Sequence, residues 1–91
     1  MVKCKKYFKG YIDILGQSVY VNSRDGTGLG TVLELMKPTI GYLTKFSASI
    51  DMEDKKQDVC VAMIEAVSLY KPQKGKFSAF LFTFVKHKLI N

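Results

Sequence analysis

The chain has 91 residues, 47% of them apolar, and sets 14 lysines and arginines against 8 acids for a formal net charge of +6. That length fits one small domain with a thin core, burying roughly 60–65% of the surface exposed by the unfolded chain. No apolar run approaches the roughly 20 residues a membrane-spanning helix needs, so a membrane partner is excluded from the expectation.

The charge is uneven along the chain. Residues 1–10 hold four lysines and no acid, residues 71–91 hold five lysines and no acid, and residues 31–70 hold six acids against four lysines. Such asymmetry suggests one surface for a polyanion and another for a different partner. The opening "MVKCKKYFKGYIDILG" starts basic, as a signal peptide does. Its apolar stretch is interrupted by Gly10 and Asp13, and no cleavage site follows, so the expected location is the cytoplasm. Cys4 and Cys60 lack metal-ligand spacing; in a reducing compartment Cys60 reads as a small buried hydrophobe and Cys4 as a free surface thiol.

Residues 1–30 are expected to form an N-terminal arm. "YIDIL" and "SVYVN" have strand character, Gly10 and Gly16 interrupt any helix, and neither state dominates. "NSRDGTGLG" then places Gly26, Gly28 and Gly30 in a G-x-G-x-G run without the βαβ context or the lysine of a nucleotide site, and reads as a flexible joint.

Residues 31–91 form the expected helical domain. In "TVLELMKPTIGYLTKF", Leu33, Met36, Ile40, Leu43 and Phe46 recur at helical spacing, giving a first helix over about 31–47. Pro38 either kinks it or starts a new helix, because its nitrogen has no proton to donate. Asp51 is placed to cap a second helix over about 52–70, with Asp54 resembling the partner in a capping box. Val59, Met63, Ala66, Val67 and Tyr70 form its apolar stripe, widened by Cys60 and Ile64, and Pro72 ends it. After "KPQKGK", Ser78 is placed to cap a third helix over about 78–90. The expected fold is therefore all-α: a three-helix bundle preceded by an arm without a settled element.

This body offers little acid–base chemistry. Glu65 is a lone carboxylate, His87 is the only histidine, and no serine, cysteine or carboxylate is paired with a base. The expectation is a binding protein and not an enzyme, without cofactor or metal.

"EDKKQD" at 53–58, an apolar helix, and "YKPQKGKFSAF" at 70–80 together resemble region 2 of bacterial sigma factors of the sigma-70 family. That family carries D-D-L-x-Q-E, an apolar helix, and then F-D-P-x-x-G-x-F-S-x-Y. Pro72, Gly75, Phe77 and Ser78 match, while Tyr70, Lys71 and Phe80 replace the family's phenylalanine, aspartate and tyrosine. The closing "VKHKLIN" is similar to the I-A-R-N-x-x-I-D of compact members. Lys55 and Lys56 depart from the pattern, occupying the places of its leucine and that leucine's neighbour.

The resemblance implies a sigma-like initiation factor domain. Its second helix would dock on the clamp helices of the largest catalytic subunit of core RNA polymerase through Asp54, Gln57, Asp58, Val61, Ile64, Glu65 and Ser68. Its third helix would assist recognition and melting of the −10 promoter element. The non-template single strand would meet Phe80, Phe82, Thr83 and Phe84, with Lys74, Lys76, Lys86, His87 and Lys88 near its phosphates. Aromatic platforms beside a cationic groove are the recurring device for binding single strands. Helical spacing assigns Phe77, Leu81 and at least one of Phe80 and Phe84 to the core, leaving Phe82 as the better exposed ring. The chain contains no helix-turn-helix for the −35 element, so a second protein supplying one is an expected partner if the chain is not itself an excised fragment. Two alternatives stay open: a regulatory protein that binds polymerase or sigma without touching DNA, and a free-standing basic DNA-binding bundle.

Overall fold

A computed structural model describes residues 7–90, and Cys4 lies outside them. The elements run β1 (Lys9–Ile14), β2 (Gln17–Asn22), α1 (Leu29–Leu35), α2 (Lys37–Leu43), a 3-10 turn at Thr44–Phe46, α3 (Met52–Leu69), a second 3-10 turn at Pro72–Lys74, and α4 (Phe77–Ile90). This corrects the all-α, three-helix expectation: the described residues contain four α-helices and a two-stranded antiparallel sheet.

The hairpin follows from a period-two pattern. Ile12, Ile14, Val19 and Val21 are buried, whereas Tyr11, Asp13, Ser18 and Tyr20 alternate with them and face solvent. Register pairs Ile12 with Val19 and Ile14 with Gln17, leaving Leu15–Gly16 as a two-residue loop. Both loop residues have positive φ, 52° at Leu15 and 85° at Gly16, the requirement of a type I′ turn. Leucine is a poor residue for that conformation, which is why the stretch lacks the usual sequence signal of a hairpin.

The expected flexible joint is a hydrogen-bonded turn. Asp25 accepts from the Thr27 hydroxyl at 2.6 Å and from its backbone N–H at 2.9 Å, and Asn22 bridges to Thr27. Gly28 then passes so close to β2 that a Cβ would lie 2.1 Å from the Tyr20 carbonyl oxygen, so no side chain fits there. The turn thereby seats α1 against the sheet.

The first expected helix is two helices. The chain turns at Met36 (φ −95°, ψ 12°) and Pro38 occupies the first turn of α2, where its missing N–H costs nothing. The second expected helix runs as read, Met52–Leu69. Asp51 sits at its N-cap position, but its side chain makes no capping hydrogen bond. Ser78 lies inside the first turn of α4, which begins at Phe77, so it is not the cap.

One core joins these elements. Ile12, Ile14, Val19 and Val21 from the hairpin pack with Val32, Met36, Ile40 and Leu43 from α1 and α2, Val59, Ala62, Met63, Ala66 and Val67 from α3, and Phe77, Leu81 and Val85 from α4. Phe77 and Leu81 are core as expected. Phe80, Phe82 and Phe84 are all half-buried against the edge of it. Among the described residues no helix is long and apolar enough to cross a membrane.

Candidate interaction surfaces on α3 and α4

The outer face of α3 is built by helical geometry. At 3.6 residues per turn, Asp54, Gln57, Asp58, Val61, Ile64, Glu65 and Ser68 fall within an arc of about 120°. The buried residues Val59, Ala62, Met63, Ala66 and Val67 occupy the opposite face. Burying that face leaves the other in solvent, and two apolar side chains go with it: Val61 is 60% exposed and Ile64 38%. Asp54 and Gln57 are exposed beside them.

Three members of this set are already engaged. Asp58 Oδ2 accepts hydrogen bonds from the hydroxyls of Ser47 and Ser49, each at 2.7 Å, which ties the loop before α3 to its first turns. These bonds stabilise the ionised carboxylate and hold its pKa below the ordinary aspartate value. Glu65 pairs with Lys88 of α4 at 2.9 Å, an exposed ion pair of a kind worth about 0–1 kcal/mol. Ser68 turns its hydroxyl back to the Ile64 carbonyl at 3.3 Å. The surface free for a partner is thus the stripe Asp54, Gln57, Val61, Ile64.

The loop preceding α4 explains its own sequence. Pro72 opens the 3-10 turn, and Gly75 adopts φ 98°, ψ −155°, a conformation almost confined to glycine. The Tyr70 hydroxyl donates to the Gly75 carbonyl at 2.8 Å, a bond phenylalanine cannot make. The Tyr70 ring also meets Phe8, Phe77 and Phe80, with centroids 5.5, 5.1 and 5.6 Å away. Tyr70 therefore locks the direction in which α4 leaves the loop. Lys76 is exposed just before α4, and the side chain of Lys74 lies outside those described.

Along α4 the residues expected to meet DNA divide between two flanks. Phe80, Thr83, Phe84, His87 and Lys88 line a cleft of about 490 Å³ with Glu65 and Leu69 of α3. In it Phe80 and Phe84 lean together, centroids 5.8 Å apart. Phe82 lies about 160° round the helix from both and is not the freely exposed ring that spacing suggested. It stacks on Tyr42 of α2, centroids 5.8 Å apart and planes at 25°, and meets Phe46 edge-on at 6.5 Å. Lys86 shares that flank, its Nζ 5.6 Å from the Phe46 ring centre. The sequence pattern counted Phe46 on the apolar face of the first expected helix and gave Tyr42 and Lys45 no role; Tyr42 lies on a different helix, 40 positions before Phe82, and nothing local signals the contact.

Cys60 is half-buried between α1, α2 and α3, and burial pushes its thiol above the ordinary cysteine value, the direction of an unreactive side chain. Among the described residues no three His, Cys, Asp or Glu side chains converge as metal ligands.

No curated protein and no solved structure matches the chain. Residues 33–91 match the family model for Sigma-70 region 2, leaving β1, β2 and the start of α1 outside it. The match covers more than half of the chain and includes both candidate surfaces, α3 with its exposed stripe and α4 with the proline–glycine loop before it. The chain therefore belongs to the Sigma-70 region 2 family and contains a sigma-factor-like region involved in transcription initiation.

Proposed function

We propose that this domain docks on the clamp helices of core RNA polymerase through the outer face of α3 and holds unpaired non-template DNA of a −10-type element with α4, acting by binding and not by catalysis. The observation that carries the docking half is the α3 stripe, where Val61 and Ile64 stand in solvent beside Asp54 and Gln57 on a helix whose other face fills the core. An apolar strip edged with amide and carboxylate suits close packing against a partner helix, with polar groups fixing the register. The α4 cleft offers aromatic edges with His87 and Lys88 at its mouth, a combination suited to bases and phosphates.

The test is size-exclusion co-elution of the chain with core RNA polymerase. A Gln57→Ala/Val61→Asp double variant should keep its circular dichroism and thermal midpoint, because both positions are exposed, and should lose co-elution. Co-elution at wild-type level would remove α3 as the docking face. Asp58 is unsuitable for this purpose, since removing it also releases Ser47 and Ser49.

The packing of Phe80 against Tyr70 and Phe84 favours a second reading, a polymerase-binding regulator that leaves DNA alone. Binding of a promoter-like single strand in the presence of core polymerase separates the two.

A further inference from the structure

The flank of α4 opposite the cleft carries a second cluster of rings and cations. Tyr42 is 51% exposed, rests on Phe82, and meets Phe46 edge-on at 6.3 Å. Lys45 Nζ lies 4.2 Å from the Tyr42 ring centre, 5.4 Å from that of Phe46, and 3.1 Å from the Tyr42 hydroxyl. Lys86 approaches Phe46 from α4. Neither lysine is paired with a carboxylate among the described residues, where the one ion pair is Lys88–Glu65.

We propose that Tyr42, Phe46 and Phe82, with Lys45 and Lys86, form a second stacking platform for single-stranded DNA, on the other side of α4 from the cleft. The proposal deepens the strand-binding reading of α4 and rests on it. Phe82 stiffens Tyr42 from beneath, so a ring that is half in solvent is held in a defined plane. A base laid on that ring gains stacking without requiring a particular sequence, because every base has a π-face. The two ammonium groups, balanced by no carboxylate, complement a phosphate on each side of the base. Lys45, an exposed residue on a flexible stem, can leave the ring for a phosphate as the base takes its place. A strand engaging both flanks passes over the exposed surface of α4 between them, where Ala79 lies in solvent.

The experiment is fluorescence anisotropy of a labelled 12-nucleotide single-stranded DNA titrated with the full chain at several salt concentrations. Tyr42→Leu should weaken binding by about 5-fold or more, the loss of one stacked base, while Tyr42→Phe retains it. Lys45→Gln should weaken binding at low salt and reduce the slope of log K against log salt by about 0.7, one phosphate contact on a single strand. Thr83→Glu reports on the cleft independently. If Thr83→Glu weakens binding while Tyr42→Leu and Lys45→Gln bind as the wild type does, the platform is refuted and the cleft survives. If the wild type does not bind the strand at all, platform and cleft fall together, and docking on polymerase stands or falls on co-elution.

Discussion

Replacing Ile12 by alanine tests whether the hairpin is part of the folding unit or an appendage to it. Ile12 sits in the middle of β1, is 1% exposed, and packs in the core shared with the helices. Truncating a buried isoleucine to alanine costs about 2–5 kcal/mol, combining lost burial with an unfilled cavity. A domain of this size is stable by roughly 5–14 kcal/mol, so the loss is a large share of the whole. Taking about 3 kcal/mol, and 4–8 °C per kcal/mol for a small domain, the thermal midpoint should fall by roughly 12–24 °C. The measurement is far-UV circular dichroism during heating, where the signal comes mainly from α3 and α4. If the hairpin and helices form one cooperative unit, the helical signal melts early in a single transition. A helical transition unmoved from the wild type, or a midpoint lowered by less than about 2 °C, would refute the shared core and make the hairpin a separable arm.

The turn of the same hairpin offers the opposite perturbation. Leu15 holds φ 52° while 74% exposed, so Leu15→Gly should relieve about 1–2 kcal/mol of left-handed strain and raise the urea midpoint; a lowered midpoint would show that the side chain has a packing role. Asp58 should make stability sensitive to acid. Its folded pKa lies below the reference value of 3.8, so its contribution is present above that pH and is lost as pH falls through the lower folded value. Ser47→Ala/Ser49→Ala removes both donors and should flatten this part of the pH dependence; an unchanged acid limb in urea titrations would show that the serine–aspartate bonds do not hold in solution.

The sequence by itself determined the parts of this protein whose physics is local. The spacing of Val59, Met63, Ala66 and Val67 specified α3 and its buried face, but the same spacing counted Ile64 with that face, and only the packing leaves Ile64 in solvent beside Val61. Pro72 and Gly75 specified the loop before α4, because one sets φ and the other reaches backbone angles denied to other residues. The hairpin was half legible. Ile12, Ile14, Val19 and Val21 alternate as strands do, but Leu15–Gly16 is an unfavourable pair for the turn, and two strands alone bury too little to be stable without the helices behind them. Only the tertiary structure decided which side chains are already occupied. Asp58 and Glu65 read as free surface groups until the loop at Ser47–Ser49 and the end of α4 come to meet them. Helical spacing separated Phe82 from Phe80 and Phe84 but left it as a free ring, whereas packing sends Phe80 and Phe84 toward α3 and covers Phe82 with Tyr42 of α2. The contact of Tyr42 with Phe82 belongs to no local pattern: it exists because α2 and α4 are pressed onto the same core, and long-range packing of that kind brings together residues that their own neighbourhoods leave unrelated.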